Sequence, residues 1–202
     1  MPPYTDIFGR LDWLTKKVKA LLGKQPAYKV YSAIINQQGD GSDISITLEN
    51  GQPVVKGVSY QIIGDSEGKW DFSNVGGPVW PNAYIFVATL DGIPNNYGGW
   101  ALQYNASAPV VTVFENTISD YIYFGRNDVG SYVIKSNGFP VFPRSKTFIL
   151  LGNSTDAIDA THLTNFKQVG DASIQLNVYD VTRQQYVDGK LINTPIEIRV
   201  YN

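Results

Sequence analysis

Residues 121–151 read YIYFGRNDVGSYVIKSNGFPVFPRSKTFILL, and this stretch decides the fold class. It contains three short runs rich in β-branched and aromatic residues, at 121–124, 132–135 and 147–151. Between the second and third runs stands Asn137-Gly138, a pair that favours tight turns. The stretch therefore predicts successive short β-strands joined by turns.

The same pattern extends over most of the chain in both directions. Further runs of this composition lie at 28–35, 44–48, 58–63, 84–90, 110–114, 173–179 and 196–201. Turn pairs such as Asn50-Gly51, Asp91-Gly92 and Asp188-Gly189 separate them. No helical pattern lies between the runs, which argues against an α/β fold. We predict a mainly β protein: one or two antiparallel β-sandwich units over residues 28–202.

Two parts of this body resemble each other. The sequence PVWP at 78–81 matches PVFP at 140–143, and each is followed by an apolar run. Upstream, ITLEN at 46–50 resembles VTVFEN at 111–116. We therefore predict an internal duplication of approximately 44–90 and 110–151. A chance match of short blocks is the alternative.

Residues 1–24 have a different pattern, which predicts an α-helix. Thr5 or Asp6 can cap its start, and Gly23 and Pro26 favour its end. Apolar residues spaced alternately by four and three positions form a stripe along one side. We call these residues the anchor stripe: Ile7, Leu11, Leu14, Val18 and Leu21.

A helix of this length is marginally stable in water, so we expect the anchor stripe to be covered. Packing on the chain's own body, association with copies or a partner, and insertion into a membrane surface are the three alternatives. We favour association, which makes 1–24 a helical anchor, 25–27 a linker and 28–202 the body. Lys16, Lys17 and Lys19 would contact an acidic partner surface, although lysines beside an apolar stripe also suit a membrane surface.

The charge is unevenly distributed along the chain. The net charge is −2, yet residues 1–24 hold five basic side chains against two aspartates. The body is therefore mildly acidic, and we expect no nucleic-acid partner. No apolar run reaches the roughly 18 residues of a membrane-spanning helix, so we do not expect an integral membrane protein, and contact with a membrane is the least favoured of the three alternatives.

The sequence contains few residues that could act in catalysis or bind a metal ion. Cysteine is absent and His162, in a polar stretch that predicts a loop, is the only histidine. Glu49 and Glu115 could form a glycosidase-like carboxylate pair, but their matching places in the two blocks favour a structural role at strand ends. No nucleophile elbow, phosphate loop or metal motif is present. We expect no enzymatic activity and no cofactor.

Aromatic residues in Gly- and Asn-rich stretches suggest a second class of function. Tyr97 and Trp100, or Trp80 and Phe142, could form a platform on which a sugar stacks. This would make the chain a carbohydrate-binding β-sandwich module. The alternative is that these rings are buried in the sandwich.

Several phrases of the sequence carry a family resemblance. Residues 7–19 (IFGRLDWLTKKVK), 28–33 (YKVYSA), 109–117 (PVVTVFENT) and 193–201 (NTPIEIRVY) resemble small β-rich structural proteins of tailed phages that infect Bacteroidetes, including crAss-like phages. The resemblance implies a virion component, such as a head fibre or capsid decoration protein, assembled in the host cytoplasm. It implies partners within the virion: other copies, with a homotrimer preferred, and a capsid protein.

Overall fold

A computed structural model describes residues 13–17, 27–37, 44–49, 51–63, 70–79, 84–95, 101–118, 120–152 and 161–202. Within these ranges the protein is mainly β, with a short helix at 13–17 and a 3-10 turn at Ser73–Val75. The strands are β1 (Tyr28–Gln37), β2 (Ser45–Glu49), β3 (Ser59–Ile63), β4 (Ile85–Val87), β5 (Ala101–Asn105), β6 (Pro109–Asn116), β7 (Ile122–Asp128), β8 (Ser131–Ser136), β9 (Thr147–Leu151), β10 (His162–Gly170), β11 (Ser173–Asp180), β12 (Gln185–Tyr186) and β13 (Thr194–Tyr201).

The described strands form three sheets. Sheet I has the order β6-β1-β13-β9, sheet II has the order β10-β11-β8-β7 with β12 beside β11, and sheet III has the order β2-β5-β3-β4. Every pair of neighbouring strands is antiparallel. The prediction of a mainly β, antiparallel fold is confirmed.

Sheets I and II share one hydrophobic core, which gives them a sandwich-like arrangement. Side chains alternate between the two faces of a strand, so every second residue of β1 and β13 points inward. The inward residues of sheet I pack against those of sheet II. The buried set includes Tyr31, Ala33, Ile35, Ile196 and Ile198 from sheet I, and Ile122, Phe124, Ile134, Ile174 and Leu176 from sheet II.

Sheet III is inserted between two strands that are neighbours in sheet I. Strands β1 and β6 pair directly, with Gln37 opposite Pro109, yet β2 to β5 lie between them in the chain. Sheet III has a separate core, which includes Tyr60, Phe72, Phe86 and Leu102. The segment that forms sheet III therefore interrupts, in the chain, the two paired strands β1 and β6 of sheet I.

Two hydrogen bonds fix the inserted unit to the rest of the body. The backbone N–H of Val111 on β6 donates to the carbonyl oxygen of Gly57 at 2.8 Å. The backbone N–H of Phe124 on β7 donates to Ser59 Oγ at 2.9 Å, and this bond is buried. These contacts hold sheet III against the edge of the two-sheet core.

The pairing of strands does not repeat between the blocks 44–90 and 110–151. In the first block β3 pairs with β4, and β2 pairs with β5 outside the block. In the second block β7 pairs with β8, while β6 and β9 join sheet I next to β1 and β13. The valines of the matching PVWP and PVFP motifs also differ in burial. Val79 is exposed, whereas Val141 packs against the core. The duplication is not confirmed by the topology.

The stretch around His162 corrects one expectation. The prediction of a loop there is wrong, because His162 begins β10, a long strand at the edge of sheet II. All of its residues are exposed or half-buried, and polar residues alternate irregularly with the exposed Leu163, Phe166 and Val169. Pairing with β11 along nearly its whole length stabilises it as a strand.

Candidate functional site

The helical segment at 13–17 contains the one described residue of the anchor stripe, Leu14. The other four residues of the stripe, and Lys19, lie outside the described residues. Leu14 is 56% exposed and Trp13 is 38% exposed. Lys16 and Lys17 are also exposed, and the Lys17 ammonium lies 5.8 Å from the centre of the Trp13 ring.

The two hydrophobic cores, as far as the described residues show them, do not include this segment. Every described residue of the two core clusters, and every described half-buried residue packed against them, comes from positions 31–200. No described residue of the helix contributes to either core. An exposed tryptophan and leucine in successive positions of a helix form a small apolar surface that other chains can cover.

The outer face of sheet I carries a second exposed apolar surface. Phe114 on β6 and Leu150 on β9 stand on opposite edges of the sheet and are 66% and 45% exposed. Between them, Pro195 on β13 lines a shallow groove of about 370 Å³. Glu197 and Arg199 form an ion pair on the same face, and the Arg199 guanidinium lies 5.0 Å from the Tyr28 ring centre.

A third feature is a cavity at the junction of sheet III with the two-sheet core. It has a volume of about 370 Å³ and is open to solvent on one side. Its wall combines residues of β1, β4 and β6 with the segment that leads into β7. The lining residues are Tyr31, Gly76, Val87, Thr89, Val113, Asn116, Asp120, Tyr121 and Ile122.

Two residues of this cavity each carry one buried oxygen without a hydrogen-bond partner among the described residues, although the backbone N–H groups of Tyr121 and Asn137 both bond to the Asp120 carboxylate. Tyr31 is 1% exposed, and its hydroxyl oxygen is buried. Asp120 Oδ1 accepts a hydrogen bond from the Tyr121 backbone N–H at 2.8 Å, but Oδ2 is buried without a partner. Burial raises the pKa of both groups, since each loses water that would stabilise its charged form.

A buried polar cluster joins β1, β7 and β8 to the loop before β13. Arg126 Nη2 donates to Asp188 Oδ2 at 2.8 Å, and the two side chains are only 4% and 9% exposed. Asp188 Oδ1 accepts from the Tyr132 hydroxyl at 2.6 Å and from the Gly130 backbone N–H at 2.9 Å. The Gln37 side chain also contacts the Tyr132 hydroxyl.

These bonds set the pKa values of the cluster. Burial raises the pKa of Asp188, but hydrogen bonds from Arg126, Tyr132 and Gly130 outweigh burial, so the net shift is downward. Burial, together with the neighbouring carboxylate, raises the pKa of Tyr132. Most polar atoms of this group bond to one another, which favours a structural role, although Gln37 Nε2 is buried without a hydrogen-bond partner among the described residues.

Only one of the four rings predicted to stack on sugars lies among the described residues. Tyr97, Trp100 and Trp80 lie outside the described residues. Phe142 is fully buried in the shared core, so the platform of Trp80 and Phe142 is wrong. A ring with no accessible face cannot stack on a ligand.

The two glutamates considered as a carboxylate pair, for which a structural role at strand ends was favoured, lie on strands of different sheets. Glu49 lies on β2 in sheet III and Glu115 lies on β6 in sheet I, and both side chains are exposed. Exposed carboxylates in different sheets lack the shared cleft that glycoside hydrolysis needs.

Sequence reasoning missed the cavity residues entirely. Tyr31 reads as an ordinary inward residue of a strand, and Asp120 as a turn residue before the next strand. The one local signal is an acidic side chain directly before an apolar run, at Asp120-Tyr121-Ile122. That signal is common in turns and does not identify a cavity.

Among the described residues there is no group of three or more side chains that could bind a metal ion. No described helix has the length and apolar character needed to cross a membrane. Neither the sequence, compared with protein-family models and curated proteins, nor the fold, compared with solved structures, gave a match.

Proposed function

We propose that the chain is a structural component of a phage virion, a head fibre or capsid decoration protein attached through its N-terminal helix. The family resemblance of residues 7–19, 28–33, 109–117 and 193–201 supports the virion assignment. In this proposal the body, made of sandwich-like β units that arose by duplication, faces outward. Copies associate through the anchor stripe, as a homotrimer, and contact a capsid protein.

One observation carries this proposal. Leu14 belongs to the anchor stripe and is 56% exposed, while every described residue of the two hydrophobic cores belongs to the body. An apolar residue that its own chain leaves exposed is available to another chain. Burying five such side chains would contribute on the order of 7–15 kcal/mol per copy before ordering costs.

The exposed face of sheet I supports an assembly role in a second way. Phe114 and Leu150 flank an open apolar groove, and monomeric proteins seldom expose large apolar surfaces in one place. The basic residues Lys16 and Lys17 are exposed beside Leu14 and would face an acidic surface of the capsid protein.

The experiment compares the full-length chain with the double variant Leu14→Asp, Val18→Asp. Size-exclusion chromatography with light scattering measures the mass in solution, and thermal unfolding reports the body. We expect an oligomer for the original chain and a monomer with unchanged body unfolding for the variant, because two buried charges would disrupt the contact.

A matched control adds the same charge beside the stripe rather than within it. The double variant Thr15→Asp, Ala20→Asp keeps all five stripe residues, so its oligomer should persist. An oligomer that survives Leu14→Asp, Val18→Asp, or an original chain that is monomeric at all concentrations, contradicts self-association through the stripe.

A further inference from the structure

Strand β10 lies at one edge of sheet II and, among the described residues, pairs only with β11. We call the side of β10 that faces away from β11 the open edge. Proteins usually protect such an edge with proline, with inward-pointing charges or by keeping the strand short. β10 is nine residues long, contains no proline, and has Lys167 as its one charged residue. Its register with β11 is regular from His162 to Gln168, so the open edge is available for another strand.

The hydrogen bonds next to β10 show which of its backbone groups face the open edge. The Val181 N–H donates to the Thr161 carbonyl oxygen at 2.7 Å, and these two positions continue the register of β11 with β10. In antiparallel strands, the backbone groups of successive residues point alternately to one side and the other. The odd-numbered residues of β10 therefore bond to β11. The N–H and C=O groups of the even-numbered residues point to the open edge, at Thr164, Phe166 and Gln168.

The sequence of β10 is complementary to itself when two copies run antiparallel about Phe166. Each residue then lies opposite one of similar polarity in the second copy, and no lysine lies opposite a lysine. The pairs are Phe166 with Phe166, Leu163 with Val169, Thr164 with Gln168, and Asn165 with Lys167. Shifting the centre by one residue in either direction places the Phe166 ring opposite Thr164 or Gln168, which are polar. The centred register is therefore favoured over its neighbours.

The two faces of β10 also match what a second copy would add. Phe166 lies opposite Leu176, a buried residue of the shared core, yet the Phe166 ring is 43% exposed. On the other face, Asn165 Oδ1 accepts a hydrogen bond from Asn177 Nδ2 at 3.2 Å. A second copy in the centred register covers the exposed ring with an identical ring. It also places a lysine beside the row of amides.

We propose that β10 pairs with β10 of a second copy of this chain, antiparallel and centred on Phe166, so that the two copies of sheet II form one continuous sheet. The residues at the open edge form three hydrogen-bonded pairs across the contact, and each such pair exchanges two backbone bonds. A two-fold axis relates the copies, so both use the same surface. The contact lies in the body and does not use the anchor stripe, so it does not rest on the proposed function.

The pairing should be weak between copies that are free in solution. One short strand edge from each copy covers less area than the roughly 800 Å² per partner of a stable interface. We therefore expect the contact to dissociate at the low concentrations of chromatography, where Leu14→Asp, Val18→Asp remains a monomer. A covalent bond can capture a weak contact, and the chain has no cysteine of its own that would interfere.

The first experiment replaces Phe166 by cysteine in the full-length chain and follows disulfide-linked dimers by non-reducing electrophoresis. In a hydrogen-bonded antiparallel pair the Cα atoms are about 5.5 Å apart, which suits a disulfide. Leu163→Cys is the matched control, because Leu163 is 59% exposed but its two copies would lie about 20 Å apart along the strands. Phe166→Cys should cross-link at least about tenfold faster than Leu163→Cys. Equal rates indicate random collision and overturn the proposal.

The same two cysteine variants are then compared in the Leu14→Asp, Val18→Asp background. Because β10 belongs to the body, Phe166→Cys should keep its advantage over Leu163→Cys there. A monomeric original chain would contradict association through the anchor stripe and leave this comparison unchanged. Loss of the advantage in the Leu14→Asp, Val18→Asp background overturns pairing through β10.

A mixture of two variants tests the register while keeping Phe166. Thr164→Cys and Gln168→Cys lie opposite each other in the proposed pair, whereas the two copies of either position lie about 14 Å apart along the strands. We expect heterodimers from the mixture and few homodimers from either variant alone. Homodimers that form as readily as heterodimers overturn the register.

A charge at the centre of the contact completes the test. Adding Phe166→Lys to both members of the mixture places two ammonium groups opposite each other, so heterodimers should form about tenfold less. Phe139→Lys is the matched control, because it replaces an exposed phenylalanine outside β10, and it should have no effect. Thermal unfolding verifies that each variant folds, and if Phe166→Cys does not, the mixture decides the question. Undiminished heterodimers with a folded Phe166→Lys overturn the proposal.

Discussion

Replacing Asp188 by Asn tests the buried cluster that joins the sheets. The Asn side chain keeps an oxygen for the Tyr132 hydroxyl and the Gly130 N–H, which both bond to Asp188 Oδ1. Its amide nitrogen, however, takes the place of Oδ2 beside Arg126 Nη2. Both nitrogens are hydrogen-bond donors, so the hydrogen bond between residues 126 and 188 is lost. The Arg126 side chain is 4% exposed and loses its carboxylate.

The expected loss of stability follows from that burial. Removing one partner of a buried ion pair costs about 3–5 kcal/mol. For a chain of this length each kcal/mol lowers the melting temperature by roughly 2–4 °C, so Asp188→Asn should melt about 6–20 °C lower at pH 7. Differential scanning calorimetry and urea unfolding measure both quantities.

The effect should depend on pH in a defined direction. The folded state holds the pKa of Asp188 below its usual value, so the ionised carboxylate stabilises the fold above the unfolded pKa of about 3.9. This contribution is lost as the pH falls through the folded pKa. The difference in melting temperature between Asp188→Asn and the original chain should therefore be largest near pH 7 and should become smaller below about pH 3.9.

Two comparisons make the prediction refutable. The double variant Arg126→Gln, Asp188→Asn removes both charges, and its loss should be at least about 1 kcal/mol smaller than the sum of the single losses. Glu197→Gln breaks an ion pair whose side chains are about one-third exposed, and it should lower the melting temperature by less than about 2 °C. A loss at Asp188 no larger than that at Glu197, or strictly additive losses, refutes the reasoning.

Two further predictions concern stability. Burial raises the pKa of Asp120, so the folded state binds this proton more tightly than the unfolded chain and stability falls as the pH rises above about 3.9. Asp120→Asn should melt higher than the original chain at pH 7 and equally at about pH 3, and a difference that is the same at both values contradicts this. Gly130 and Gly138 both have positive φ, 59° and 90°, but an added Cβ would lie 2.6 Å from Val178 O at Gly130 and meets nothing within 4 Å at Gly138. Gly130→Ala should therefore destabilise the protein by at least about 1 kcal/mol more than Gly138→Ala in urea unfolding, and equal losses would show that the hairpin relieves the clash.

Much of the secondary structure followed from local patterns. Runs of β-branched and aromatic residues predicted the strand at 147–151 with its observed bounds, and β1 and β13 to within two residues at either end. These strands have one face in the shared core, so their own composition records their environment. The edge strand β10 has no face in the shared core, so its own residues do not show the alternation that predicted the other strands. It is a strand because it pairs with β11.

The candidate sites were predicted only in part. The anchor stripe was predicted from a periodic pattern of neighbouring residues, and only its Leu14 lies in the described helical segment. The cavity around Tyr31 and Asp120 is not local, because its wall combines positions as far apart as Tyr31, Gly76 and Ile122. No spacing rule connects those residues.

By itself the sequence determined the mainly β fold class, most strand positions and the contrast in charge between the basic first 24 residues and the acidic remainder. Those properties depend on residues that are neighbours in the chain, and periodicity and charge report them directly. Only the tertiary structure decided that sheet III is inserted between the paired strands β1 and β6, that Arg126 meets Asp188, and that Tyr31 and Asp120 share a cavity. All three features bring together residues that are far apart in the chain. Such contacts depend on how the whole body packs, so the residues involved have no characteristic spacing in the sequence.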